Sequence, residues 1–387
     1  MKRTVGWLCV GVLMCVGVGC SSSNPPVFEP GASLDEKLGV TLEHLRAPGA
    51  VVFVEHAGEV LIDRAYGVAD LESGEPMTVG HHFRVASITK PFVAVVLLQL
   101  ADEGKVGLDD PVGRYVEGVP AGDRITLRML AQHTSGLNNY IAHPHVKAAF
   151  ASEPERQWTT EELKAFAFGV GAYFDPDGGG WMYSNTNYVL LGEVIEAVEG
   201  KPLGEVIRER VCEPLGLTGT SYTVESVLPE PYATGYQYGD ESGPIFWKGV
   251  GEVAYDVTSA SPSMWHGAGA MVSTLGDVRR FLKAVTEGEL LSDAMFAAQM
   301  DWRDTGYPVD YQYGLGVIRY EGGVGHNGNV PGYQVTMIRH ADPDVSIVVL
   351  TNLYSSPNYE EPANAMYFVV MRHLTGESYA PPGWDGW

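Results

Sequence analysis

The chain has 387 residues, of which 45% are hydrophobic, and carries a formal charge of −23. That length and apolar content are enough for a large core, arranged as two lobes or one large domain. The acidic balance repels phosphate backbones and anionic lipid headgroups, which excludes nucleic acid as a partner and leaves any membrane attachment to acyl chains.

The first twenty residues, MKRTVGWLCVGVLMCVGVGC, place Lys2 and Arg3 ahead of an apolar run from Val5 to Gly19. A membrane span needs roughly 20 apolar residues, so residues 1–20 read as an export signal rather than a spanning helix. Gly19-Cys20 closes it as a lipobox does, with Gly17 where leucine is usual. Cys20 is therefore the expected lipidation site and the membrane anchor of an exported, cell-envelope protein, periplasmic or attached to the outer membrane. Cys9 and Cys15 leave with the signal, and an acylated Cys20 leaves Cys212 without a partner, so no disulfide framework is expected. No C-x-x-C occurs, and no metal or cofactor is expected.

Residues 21–35 begin SSSNPPVFEP, a polar, proline-rich tether. The body follows over 36–375. Ala50 to Glu72 reads as two strand-like runs around Ala57-Gly58, a hairpin. Pro91 to Glu103 is a buried helix closed by Gly104, and Pro91 fits its first turn. Helical patterns follow from Thr126 into HTSGL, over Thr160–Phe168, over Asn187–Glu199 (stopped by Gly200 and Pro202) and over Leu203–Val211. Thr218 to Ser263 is loop-rich. Thr274–Val285 opens on a capping box of Thr274 with Asp277. Strands are expected at Tyr313–Tyr320, Tyr333–Arg339 and Val345–Thr351, then a closing helix over Glu361–Leu374. Residues 376–387, ending APPGWDGW, form a loose tail. Strands at both ends with helices between predict an α/β (α+β) fold: a sheet flanked by helices, with a helical lobe inserted over about 88–250.

Three short motifs carry chemistry. Ser87-x-x-Lys90 lies at a helix start, Tyr183-Ser184-Asn185 precedes a helix, and His326-Asn327-Gly328 precedes a strand. A serine hydroxyl is a weak nucleophile until a base takes its proton. Three residues on, Lys90 lies on the same helix face, and the helix N-terminus offers amides to a developing oxyanion. Lysine is protonated near neutrality unless its pKa is depressed. A nearby cation or a tyrosine sharing the proton would do this, and His326 and Tyr183 are the candidates. Asn185 can donate to a substrate carbonyl while accepting from Lys90. Each motif taken singly also has an ordinary reading: Ser87 as an N-cap, Tyr-Ser-Asn as capping, His-x-Gly as a turn (as in His56-Ala57-Gly58). His81, His82, His143 and His145 lack metal spacing and read as surface or loop residues.

The three motifs in that order, within FRVASITKPF, ITLRMLAQHTSGL, YSNTNYVLLGEVIE, GAGAMVSTLGDVRRF, YGLGV and GHNGNVPGY, resemble the serine β-lactamase and penicillin-binding superfamily. Class C β-lactamases and the secreted D-alanyl-D-alanine carboxypeptidases are the most similar groups, over roughly Val51 to Leu353. The resemblance implies an antiparallel sheet with a helical lobe and the site in the cleft between. It makes Ser87 the acylated nucleophile, Lys90 its proton partner, and Tyr183 the shuttle to the leaving group and a candidate base for the deacylating water. Asn185 would orient substrate and lysine, and His326, in place of the usual lysine, would send positive charge toward Tyr183. The amides of Ser87 and Asn329 would form the oxyanion hole, with Asn327, Gly328 and Arg319 lining the substrate site. Two departures concern substrate: asparagines replace the family's hydroxyl residues at 327 and 329, and Arg319 comes one residue later than the carboxylate-binding arginine. The expected partner is a small molecule or a peptidoglycan-derived peptide. Three functions fit: a hydrolase of D-amino-acid amides or β-lactams, an esterase acting on uncharged acyl esters, and a lipid-tethered binding protein without catalysis.

Overall fold

The computed structural model describes residues 26–246, 251–307, 310–357 and 360–376. The signal-like segment with Cys20, the start of the tether and the tail beyond Gly376 lie outside the described residues.

Strands from both ends of the chain meet in one sheet. The N-terminal part supplies β1 (Gly49–His56) and β2 (Glu59–Gly67). The C-terminal part supplies β3 (Arg303–Asp304), β4 (Tyr311–Tyr313), β5 (Ile318–Tyr320), β6 (Gly323–Val330), β7 (Tyr333–His340) and β8 (Val345–Thr351). The eight strands run in the order β2-β1-β8-β7-β6-β5-β4-β3, every neighbouring pair antiparallel. Ala57 (φ 51°) and Gly58 (φ 79°) both turn through the left-handed region, as a two-residue hairpin loop requires.

Helices α1 (Leu34–His44), α2 (Thr89–Asp102), α3 (Asn185–Glu199), α4 (Leu275–Glu287) and α5 (Pro362–Thr375) pack on and around this sheet. Alternate residues of a strand face opposite sides. Ala50, Val52 and Val54 accordingly join the core under α1 and α5, while Val51 and Phe53 join the larger core built on α2 and α4. Helix α2 is buried on nearly every face, with Phe92 stacked on Phe281 of α4. A helix that is apolar all round belongs inside a protein, and α2 is the wall between the sheet and the helical segment that ends in α3.

Three expectations are corrected. Tyr313–Tyr320 is not one strand: β4 and β5 form a hairpin, because Gly316 takes φ 74° and the Gly314 amide donates to Val317 O at 2.8 Å. His326-Asn327-Gly328 does not precede a strand but lies within β6; its glycines, which weaken strand patterns, sit where a neighbouring backbone comes close. The capping box at Thr274 is half formed. Thr274 accepts from the Asp277 amide, but the shorter Asp277 carboxylate turns to Gly219 N and Thr220 Oγ1. His81 lies in a loop, as read, and is buried there, its Nδ1 2.7 Å from Thr78 Oγ1.

The β4–β5 turn tests the packing around α2. A Cβ on Gly316 would lie 2.4 Å from Ala94 Cβ, whereas one on Gly322 (φ 81°) would meet open space. Gly322→Ala should cost only the left-handed strain, about 1 kcal/mol. Gly316→Ala should cost about 3 kcal/mol or more, read as the difference in urea midpoints at constant m.

Candidate active site

Ser87 sits in a single 3-10 turn, Ala86–Ile88, that leads directly into α2. Ala86 takes φ 49°, a costly conformation for a residue with a Cβ, held immediately before the serine. Lys90 Nζ lies 2.9 Å from Ser87 Oγ and donates to Ala268 O at 2.7 Å. The lysine is fully buried, and desolvation holds its pKa well below the ordinary lysine value.

Tyr183 arrives from the turn before α3 and donates to Ser87 Oγ at 3.1 Å. Burial pushes its hydroxyl well above the ordinary tyrosine range, so it stands protonated. Lys90 Nζ is 4.8 Å from the Tyr183 ring centroid and 5.6 Å from that of Tyr188, so the aromatic faces line its chamber. Asn185, the first residue of α3, is buried, and neither its Oδ1 nor its Nδ2 has a partner. It does not accept from Lys90 as expected, since Lys90 donates to Ala268 instead. A buried amide without partners in a cleft is a group kept for a ligand.

His133, which the sequence reading passed over inside HTSGL, stands behind Tyr183 with ring centroids 4.3 Å apart. Ser135 Oγ donates to Asn187 Oδ1 at 2.8 Å, so Asn187 Nδ2 is free to donate to His133 Nδ1 at 3.1 Å, beside the Ser184 amide at 3.2 Å. Its proton is therefore on Nε2, and burial holds its pKa well below the ordinary histidine value. The signal was present in the histidine-hydroxyl-glycine string, but nothing local told it from a turn.

The far wall is the edge of β6. Strand β5 ends at Ile318, opposite Gly325, so from residue 326 onward β6 has no strand on that side and lies against the Ser87 turn. Gly328 permits this approach: a Cβ there would lie 2.6 Å from the Ser87 amide nitrogen. Asn327 and Asn329 flank it, Asn327 buried and the Oδ1 of Asn329 buried without a partner. His326 is placed in the site, but its expected positive charge is corrected. Its Nδ1 lies 2.5 Å from the Asn327 carbonyl, which can only accept, so Nε2 takes the Tyr313 hydroxyl proton at 3.0 Å. Burial holds its pKa down to about 3, leaving a neutral imidazole.

Arg319 is not brought to the serine. Its neighbours on β5 tell the two faces apart: Ile318 packs with Tyr183 and Tyr313, while Arg319 pairs with Gln312 and Val324. Its guanidinium reaches Gln312 Oε1 at 3.3 Å and Asp310 at 4.0 Å. One residue along a strand is the other side of the sheet. Among the described residues no group of His, Cys, Asp and Glu is placed to hold a metal ion.

A family model described as Beta-lactamase matches residues 34–369. The chain belongs to the Beta-lactamase family. It is a serine hydrolase of that fold. Over 343 residues it is 29% identical to Penicillin-binding protein 4* of Bacillus subtilis, covering 86% of this chain and 73% of that protein. It is 34% identical to Esterase EstB of Burkholderia gladioli over 220 residues, 54% of this chain and 55% of the esterase. The crystal structure of a D-stereospecific amidohydrolase from Streptomyces superposes with a TM-score of 0.75 at 29% identity, over 89% of this chain and 98% of that one.

The neutral histidine has a consequence for acid stability. The folded pKa of His326, about 3, lies below its ordinary unfolded value of 6.5, so the unfolded chain binds the proton first. Stability is then lost as pH falls from 6.5 toward 3, at about 1.4 kcal/mol per pH unit for this group. In denaturant unfolding between pH 6 and 4.5, His326→Gln should show a shallower loss than the wild type.

Proposed function

We propose that the chain cleaves D-amino-acid amides through an acyl-Ser87 intermediate. The observation that carries this is the convergence on Ser87 Oγ of Lys90 at 2.9 Å and Tyr183 at 3.1 Å, with the lysine buried so that it is a base rather than a cation. Ser87 passes its proton to Lys90 as Oγ bonds to the carbonyl carbon. The amides of Ser87 and Asn329 hold the oxyanion, and Asn185 and the Asn327-Gly328 edge hold the substrate. The C–N bond breaks as the Tyr183 hydroxyl gives its proton to the departing nitrogen, and Lys90 returns one to Tyr183. Water then attacks the ester, releases the acid and restores the Ser87 hydroxyl. The similarity to a D-stereospecific amidohydrolase supports the amide substrate.

The second reading is an esterase acting on uncharged acyl esters through the same serine. Arg319, turned to Asp310 and Gln312, is not offered to a substrate carboxylate, and the similarity to Esterase EstB favours it too. For both readings we place the enzyme at the cell envelope, exported by its first twenty residues and tethered by lipid on Cys20.

Ser87→Ala, Lys90→Met and Tyr183→Phe should each lower kcat/KM on a D-amino-acid p-nitroanilide by about 1000-fold or more. A penicillin should leave a mass adduct on the wild type and none on Ser87→Ala. The kcat/KM profile should rise with pH through a single ionisation, that of Lys90, without a limb from His326, whose pKa of about 3 lies below the range assayed. Undiminished activity in Ser87→Ala would overturn both readings. Retained amide cleavage with no action on p-nitrophenyl esters would remove the second.

A further inference from the structure

Glu361 is a titratable group beside the site that the acyl-transfer scheme does not use. It is half-buried at the N-terminus of α5, yet makes no capping bond to its own helix. That role is taken by Gln334 Oε1, which accepts from the amides of Ala363 at 2.5 Å and Asn364 at 3.3 Å. The Glu361 carboxylate is held instead by Asn364 Nδ2 and by Gln334 Nε2 at 3.5 Å, and Asn364 Oδ1 accepts from Thr336 Oγ1 at 2.5 Å. Gln334 and Thr336 are the cross-strand partners of Asn329 and Asn327. Paired residues lie on one face with Cβ atoms about 5 Å apart, so this network backs directly onto the substrate edge of β6.

The side of the cleft is also set. Glu361 is within electrostatic reach of Tyr311, whose ring is 6.2 Å from that of Trp181 in the cluster around Tyr183. Tyr183 serves the departing nitrogen in the scheme above, so Glu361 lies on the leaving-group side. Burial raises its carboxyl pKa to about 7. Among the described residues, the other titratable groups around it are Tyr311 on β4, and Glu360 with His44 of α1, which lie 3.8 Å from each other. The facing residues of β6 and β7, Asn327, Asn329, Gln334 and Thr336, do not titrate.

We propose, resting on the Ser87 reading, that Glu361 determines specificity on the leaving-group side, repelling a free α-carboxylate and admitting an uncharged amide. A carboxylate entering along the Asn327–Asn329 edge approaches the carboxylate held by Gln334, and Arg319 is turned away from it. A C-terminal amide meets acceptors and donors of the right kind in Asn327 and Asn329. Glu361 acts as a positioning charge and touches no reacting atom.

The test compares kcat/KM for N-acetyl-D-alanyl-D-alanine and for its C-terminal amide in the same preparation. The acid-to-amide ratio should be low in the wild type at pH 8 and rise at least about tenfold in Glu361→Gln. In the wild type it should also rise between pH 8 and pH 6, where the substrate carboxylate stays ionised and Glu361 takes its proton. The pH arm needs no substitution and is independent of any folding defect in the variant. A ratio unmoved in both arms, with cleavage still abolished by Ser87→Ala, would overturn the role of Glu361 alone. Cleavage that survives Ser87→Ala, or no cleavage of either substrate, would overturn the reading on which it rests.

Discussion

The structure turns on one buried amine. Lys90 projects from a helix that is apolar on nearly every side into a chamber of tyrosine rings, and its hydrogen-bond partners among the described residues are Ser87 Oγ and Ala268 O. An ammonium ion there would have lost its water with no carboxylate to replace it, at a cost of several kcal/mol. Desolvation therefore presses the lysine toward its neutral form, which at 2.9 Å from a serine hydroxyl is a base. Burial that would be a defect elsewhere is the source of the chemistry.

The neighbours follow from the same constraint. His133 and His326 are both enclosed, and burial opposes the protonation of each. Their hydrogen bonds lock complementary tautomers: His133 receives at Nδ1 from Asn187 and the Ser184 amide, and His326 receives at Nε2 from Tyr313. The walls around the serine are therefore dipoles rather than ions. Recognition passes to oriented amides, the unpartnered Asn185 among them, and to whatever charge lies just outside.

Sequence reached the parts of this site that are local and failed where tertiary approach decides. Ser87 and Lys90 were legible because one helical turn brings them together, and α2 was legible because its apolar run is continuous. The β-hairpin at Ala57-Gly58 was legible because a glycine tolerates left-handed backbone between two strand-like runs. Strand β6 was not, because Gly323, Gly325 and Gly328 depress the strand pattern, and each is there for a contact with a distant backbone or side chain. The charge of His326 was misjudged since burial, not residue type, sets it. His133 and Glu361 were missed because a histidine in a turn and a glutamate before a helix are ordinary until the chain folds around them. Arg319 shows the opposite case: the period of two along a strand, read from sequence alone, already placed it on the wrong face for a carboxylate.

The second half of the reaction is constrained by the state of Tyr183. A phenol pushed well above its ordinary pKa by burial holds its proton and cannot be the group that first draws one from water. The neutral amine of Lys90, 2.9 Å from the esterified oxygen, is the base of the pair. Tyr183, bonded to that same oxygen, can pass a proton only as it receives one. Both halves of the cycle then run through a single lysine, and the fate of a bound β-lactam depends on whether water can reach the acyl carbon between Tyr183 and the Gly328 edge. In that geometry the difference between a penicillin-binding protein and a hydrolase is a matter of access, not of an additional base.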